Sequence, residues 1–128
     1  MNRISVIASL AMLAVIMTWP GEFAIAWAHA FPNEEQPLVG STITTPPSKV
    51  SITYDAPIES LFAKLQVIDG AGQEQITGPP SVGPDHRTLS VELKPLKPGH
   101  YTVRWSVVSE DGHRTEGSYD FIVSRSKP

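Results

Sequence analysis

No cysteine occurs in the 128 residues, which excludes a disulfide framework, a thiolate zinc site, an iron–sulfur cluster and a cysteine nucleophile. Methionine is nearly as scarce: Met1, Met12 and Met17 are the only three, so thioether ligands for a soft metal ion are excluded from the rest of the chain. Positive charge is short as well. Ten basic against 13 acidic residues give a formal net charge of -3, which favours neither nucleic acid nor an anionic membrane surface. After residue 29 no segment of useful length carries the helical period, and the length suits one domain with one core.

What is present begins with a secretory pattern over residues 1–28. Arg3 precedes the apolar run ISVIASLAMLAVIM, Pro20-Gly21 breaks it, and Ala26-Trp27-Ala28 supplies a small-residue cleavage site, which leaves His29 first. A retained membrane anchor is the alternative, but Pro20, Gly21 and Glu22 interrupt the run short of the roughly 20 apolar residues a span requires. A cut after Ala30 also satisfies the small-residue rule and would leave Phe31 first.

Short alternating or β-branched runs, punctuated by Pro and Gly, then predict an all-β domain over 29–125. The runs are LVGSTIT (38–44), KVSITYD (49–55), LFAKLQVID (61–69), EQIT (74–77), RTLSVEL (87–93), HYTVRWSVV (100–108) and SYDFIVS (118–124). Seven strands fit a small immunoglobulin-like β-sandwich. In the sixth run Tyr101, Val103, Trp105 and Val107 share one face, as a half-buried antiparallel strand requires. NEEQP (33–37) reads as a polar lead-in and SRSKP as a loose tail.

Four histidines follow the signal. His86, in a polar turn, and His100, at a strand entrance, read as solvated surface residues. His113 has Asp111 two residues before it, so in extended backbone both side chains leave the same side. The simpler reading makes Asp111-Gly112 a turn and leaves His113 in water. His29 shifts the balance, because a histidine at a free N-terminus offers its α-amine and Nδ1 as a chelate. With His113 and Asp111 the set becomes three nitrogens and an anionic oxygen, which suits tetragonal Cu(II) and binds zinc more weakly. Cleavage after Ala28 creates that chelate, whereas cleavage after Ala30 removes it.

These residues resemble the CopC family of periplasmic copper-binding proteins over essentially the whole mature chain. The resemblance rests on a signal ending before His29; on Pro98, Gly99, Tyr101, Val103 and Trp105 of one strand; and on Val107-Val108-Ser109-x-Asp111-Gly112-His113, followed by Gly117, Phe121 and Val123. It implies a Greek-key β-sandwich related to cupredoxins, binding one Cu(II) per chain through His29, Asp111 and His113. Many members add a glutamate near the metal from an earlier strand. Here that position is Ala56, and water, Asp55 or Glu59 stand as candidates in its place.

The expectation is therefore a periplasmic, non-enzymatic Cu(II) protein of copper homeostasis or resistance, which sequesters the ion or passes it to an inner-membrane transporter of the CopD type. Protons compete with the metal for the same nitrogens, so binding weakens in acid. A metal-free immunoglobulin-like assembly or adhesion module is one rival. The other is a small copper oxygenase, for which one mature tryptophan, Trp105, offers little substrate-binding surface.

Overall fold

Alternation in HYTVRWSVV sets one wall of the core: Tyr101, Val103 and Val107 are buried and Arg104 is exposed. In a computed structural model, which describes residues 29–126, this run lies in a ten-residue strand with partners on both sides. The order is β1 (Pro32–Gln36), β2 (Thr42–Ile43), β3 (Lys49–Tyr54), a 3-10 turn (Ser60–Phe62), β4 (Lys64–Asp69), β5 (Ser81–Val82), β6 (Thr88–Glu92), β7 (Gly99–Val108) and β8 (Arg114–Val123).

Two four-stranded sheets result, ordered β1-β3-β6-β5 and β2-β8-β7-β4. Their inner faces meet through Val50, Ile52 and Tyr54 of β3, Leu65 and Val67 of β4, Leu89 and Val91 of β6, and Tyr119, Phe121 and Val123 of β8. Each fully buried aliphatic or Phe side chain contributes roughly 1.5–3 kcal/mol. Connections cross between sheets after β1, β2, β3, β4 and β6, which gives the immunoglobulin-like sandwich its Greek-key character.

Among the described residues eight strands stand where seven are predicted, because the segment read as a lead-in is itself a strand. NEEQ is not a lead-in: it forms most of β1 and pairs antiparallel with β3. The run at 38–44 contributes only Thr42 and Ile43, parallel to β8. EQIT makes isolated bridges, Ile68 with Glu74 and Ile76 with Leu93, while Ser81–Val82 supplies the edge strand β5. The last strand begins at Arg114, since β7 and β8 stay in register from Gly99–Val123 to Val108–Arg114. The predicted signal segment, 1–28, lies outside the described residues.

One glycine shapes the core. Trp105 faces Gly117 across the β7–β8 ladder, and a Cβ at Gly117 would lie 2.7 Å from the indole Cζ2. The missing side chain lets the indole lie across β8, where it packs edge-on against Tyr54 with centroids 5.5 Å apart.

Candidate metal centre

The end of the sandwich where β7 turns into β8 also receives residues 29–31. Ala30 is fully buried, and its carbonyl accepts a hydrogen bond from Thr115 Oγ1 at 2.6 Å. Phe31 N–H donates to Asp55 Oδ1 at 2.8 Å, and its carbonyl accepts from Asp55 N–H at 2.9 Å. The two residues after His29 are thus tied to both sheets, to β8 through Thr115 and to the end of β3 through Asp55. That anchoring lowers the ordering cost of using His29 as a donor.

The β7–β8 loop is built from its own side chains. Ser109 N–H donates to the His113 carbonyl at 2.9 Å and Gly112 N–H to the Ser109 carbonyl at 2.9 Å, with Gly112 in the left-handed region at φ +88°. The buried Ser109 hydroxyl donates to Asp111 Oδ1 and lies 3.2 Å from the His113 carbonyl oxygen. His113 N–H also donates to Asp111 Oδ1, at 3.1 Å. From outside, Glu110 N–H donates to the Pro57 carbonyl at 3.2 Å, and Ser109 bridges Ile58. The Ser109 hydrogen bond, foremost, holds the Asp111 carboxyl below the usual carboxylate range, and the His113 N–H adds to it.

These two constructions bring His29, Asp111 and His113 together, with one donor atom from each lying within 4.8 Å of the others. His113 Nδ1 is 3.3 Å from Asp111 Oδ1, and the two side chains are 43% and 22% exposed. Donors about 2 Å from one small ion stand about 3 Å apart, so this spacing suits two adjacent ligands. The imidazoles of His29 and His113 stack, with centroids 4.7 Å apart and planes 20° from parallel. Their lone pairs lie in two nearly parallel planes, so gathering both on one ion requires one ring to rotate, a side-chain change only. The set is nitrogen and carboxylate oxygen without sulfur, which fits a borderline divalent ion such as Cu(II).

Other candidates fall elsewhere. Ala56 is buried in the core, so its position offers no donor. Asp55 is engaged with Phe31, and Glu59 lies outside the three-residue group. His86 sits in an exposed loop at φ +59°, and His100, on β7, lies 3.7 Å from Asp120 of β8. Sequence reasoning missed Asp55 and Thr115 as anchors of the arm. Only the pairing of Pro32 with Tyr54, a tertiary fact, places Asp55 beside Phe31.

Residues 33–124 match the family model described as the CopC domain. The chain is 35% identical over 118 residues, 90% of its length, to protein YobA of Escherichia coli K12, of which the match covers 91%. It is 28% identical over 103 residues to the copper transport protein CutJ of Bacillus subtilis, covering 79% of this chain but 19% of CutJ. The crystal structure of CopC from Methylosinus trichosporium OB3b superposes with a TM-score of 0.72 at 25% identity, over 78% of this chain and 98% of that one.

Proposed function

The chain belongs to the CopC family, and on that premise we propose that it is a periplasmic protein binding one Cu(II) through His29, Asp111 and His113. Its role is copper-related, as a relative named a copper transport protein also suggests. In this reading residues 1–28 are removed on export, and the amine of His29 joins its own Nδ1 in a chelate. His113 adds an imidazole, and the Asp111 carboxylate offsets part of the ion's charge. The bound ion is then sequestered or passed to an inner-membrane transporter of the CopD type.

The observation that carries the reading is the convergence within 4.8 Å of three nitrogen and oxygen donors, one of them on His29, far in sequence from Asp111 and His113. Nothing in the core needs them there. Partial exposure of His113 and Asp111 suits a cargo that must leave again. Two measurements test it: the mass of the exported protein, expected to begin at His29, and a competition titration of that protein with Cu(II), expected to give one tight site. A titration without a saturable site, or one that His113→Ala leaves unchanged, overturns the proposal.

A further inference from the structure

A single exposed apolar side chain is ordinary on a protein surface, and Phe31, 53% exposed, would carry no meaning by itself. Two observations set it apart. Its backbone is fixed at both polar groups: the N–H donates to Asp55 Oδ1 at 2.8 Å, and the carbonyl accepts from Asp55 N–H at 2.9 Å. Its ring meets the imidazole of His29, with centroids 6.2 Å apart and planes 35° from parallel, inside the range of roughly 4.5–7 Å over which aromatic rings attract.

The local sequence explains why the rings meet. His29 is half-buried, Ala30 fully buried and Phe31 exposed, an alternation that sends Ala30 into the core and the two rings out on the same side. Thr115 Oγ1 holds the Ala30 carbonyl at 2.6 Å, so the Phe31 ring is carried by a backbone tied to both sheets. In the exported form proposed above no chain precedes His29 to restrain it, and its ring rests instead on those of Phe31 and His113. A loose imidazole gives up rotamer freedom when it becomes a ligand, and a ring already packed in place gives up less. An apolar surface beside a metal site also limits the access of solvent to it and lowers the local dielectric.

Resting on the reading that this chain binds Cu(II) through His29, Asp111 and His113, we propose that Phe31 is the positioning residue of the site. Its ring is a fixed wall that holds the His29 imidazole in place and keeps water from that flank. Phe31 brings no donor atom, so it acts through His29. A competing ligand then enters from the other flank, past His113 and Asp111, whose side chains are 43% and 22% exposed. Phe31 thereby slows the release of the ion without adding to its coordination.

The test compares the exported protein with its Phe31→Ala, Phe31→Tyr and Leu38→Ala variants, Leu38 being 59% exposed just beyond the far end of β1. Without metal, NMR should show the His29 ring protons displaced in Phe31→Ala and close to their original positions in the other two. With Cu(II) bound, transfer to excess EDTA should be about three- to tenfold faster in Phe31→Ala, as the release of one restrained side chain requires. The number of coordinated nitrogens in the electron paramagnetic resonance spectrum and the melting temperature should stay as they were. Phe31→Tyr, which keeps the ring, should release the ion at nearly the original rate. Unmoved His29 resonances, equal acceleration in Leu38→Ala, or a loss of coordinated nitrogen in Phe31→Ala overturns the proposal. The two readings fail separately: an unsubstituted protein without Cu(II) binding overturns the copper reading and this proposal together. Saturable Cu(II) binding with release unchanged in Phe31→Ala overturns the role of Phe31 alone.

Discussion

The chain contains two Asp-Gly turns, one at each end of the sandwich, and they do different work. At Asp69-Gly70 the carboxylate is consumed by its own turn: Oδ1 accepts from the N–H groups of Ala71 and Gln73 at 2.9 Å, and Oδ2 from Gln75 Nε2 at 3.0 Å. At Asp111-Gly112 the bonds from the Ser109 hydroxyl and the His113 N–H both fall on Oδ1. Around the second turn the anchored arm of residues 29–31 adds another imidazole. At the first, His100 lines the same cleft as Asp69 but lies 3.7 Å from Asp120 and joins no metal-binding group with Asp69 among the described residues. An identical dipeptide is therefore a structural turn in one place and a candidate ligand loop in the other, and the surroundings decide which.

Substitutions at matched positions can break that contrast. The largest effect is expected at the histidines: His113→Ala should lower Cu(II) affinity by more than the ~10–100-fold typical of outer-shell partners, with the melting temperature nearly unchanged. His100→Ala should leave affinity as it was; equal losses in the two variants would erase the distinction between the ends. Next come the aspartates. Asp111→Asn should weaken Cu(II) binding about tenfold, the carboxylate contributing charge, whereas Asp69→Asn should cost about 1 kcal/mol of stability and no affinity.

Ser109→Ala sharpens the comparison, because it loosens the ligand loop without touching a donor. Affinity should fall, and the Asp111 titration followed by NMR should move up, since the Ser109 hydroxyl is the main cause of its depression. An unmoved titration would remove Ser109 from the account.

The smallest effect concerns the β5–β6 loop at the metal end. There Asp85 accepts from Thr88 Oγ1 at 2.5 Å and from the N–H groups of Arg87 and Thr88, and its pKa is lowered to about 2, the Thr88 side chain being the first cause. A depressed folded-state pKa stabilises the protein above the ordinary value of 3.8, and the contribution is lost as pH falls toward 2. Asp85→Asn should therefore be slightly less stable at neutral pH, and the gap should close in acid unfolding measurements.

Much of the core was legible because β7 alternates cleanly and carries Trp105. The edge was not. PNEEQ, with a burial pattern that never reaches the core, offers no period of two to read, and its strand character comes only from pairing with β3. Likewise the polar start of β8, Arg114 to Gly117, is held by register with β7 rather than by its own pattern. At the site, the types and spacing of Asp111 and His113 were visible, as was the position of His29 after a cleavage motif. The arm's attachment through Asp55 and Thr115 was invisible, because it depends on β1 and β3 meeting.

The most direct test of the central claim compares Cu(II) bound by the protein beginning at His29 with Cu(II) bound by the same protein carrying one extra alanine before it. Electron paramagnetic resonance counts the coordinated nitrogens, and a competition titration gives the affinity. The account predicts amine and imidazole nitrogens in the first spectrum, loss of the amine in the second, and a marked fall in affinity between them. Identical spectra and affinities would contradict it.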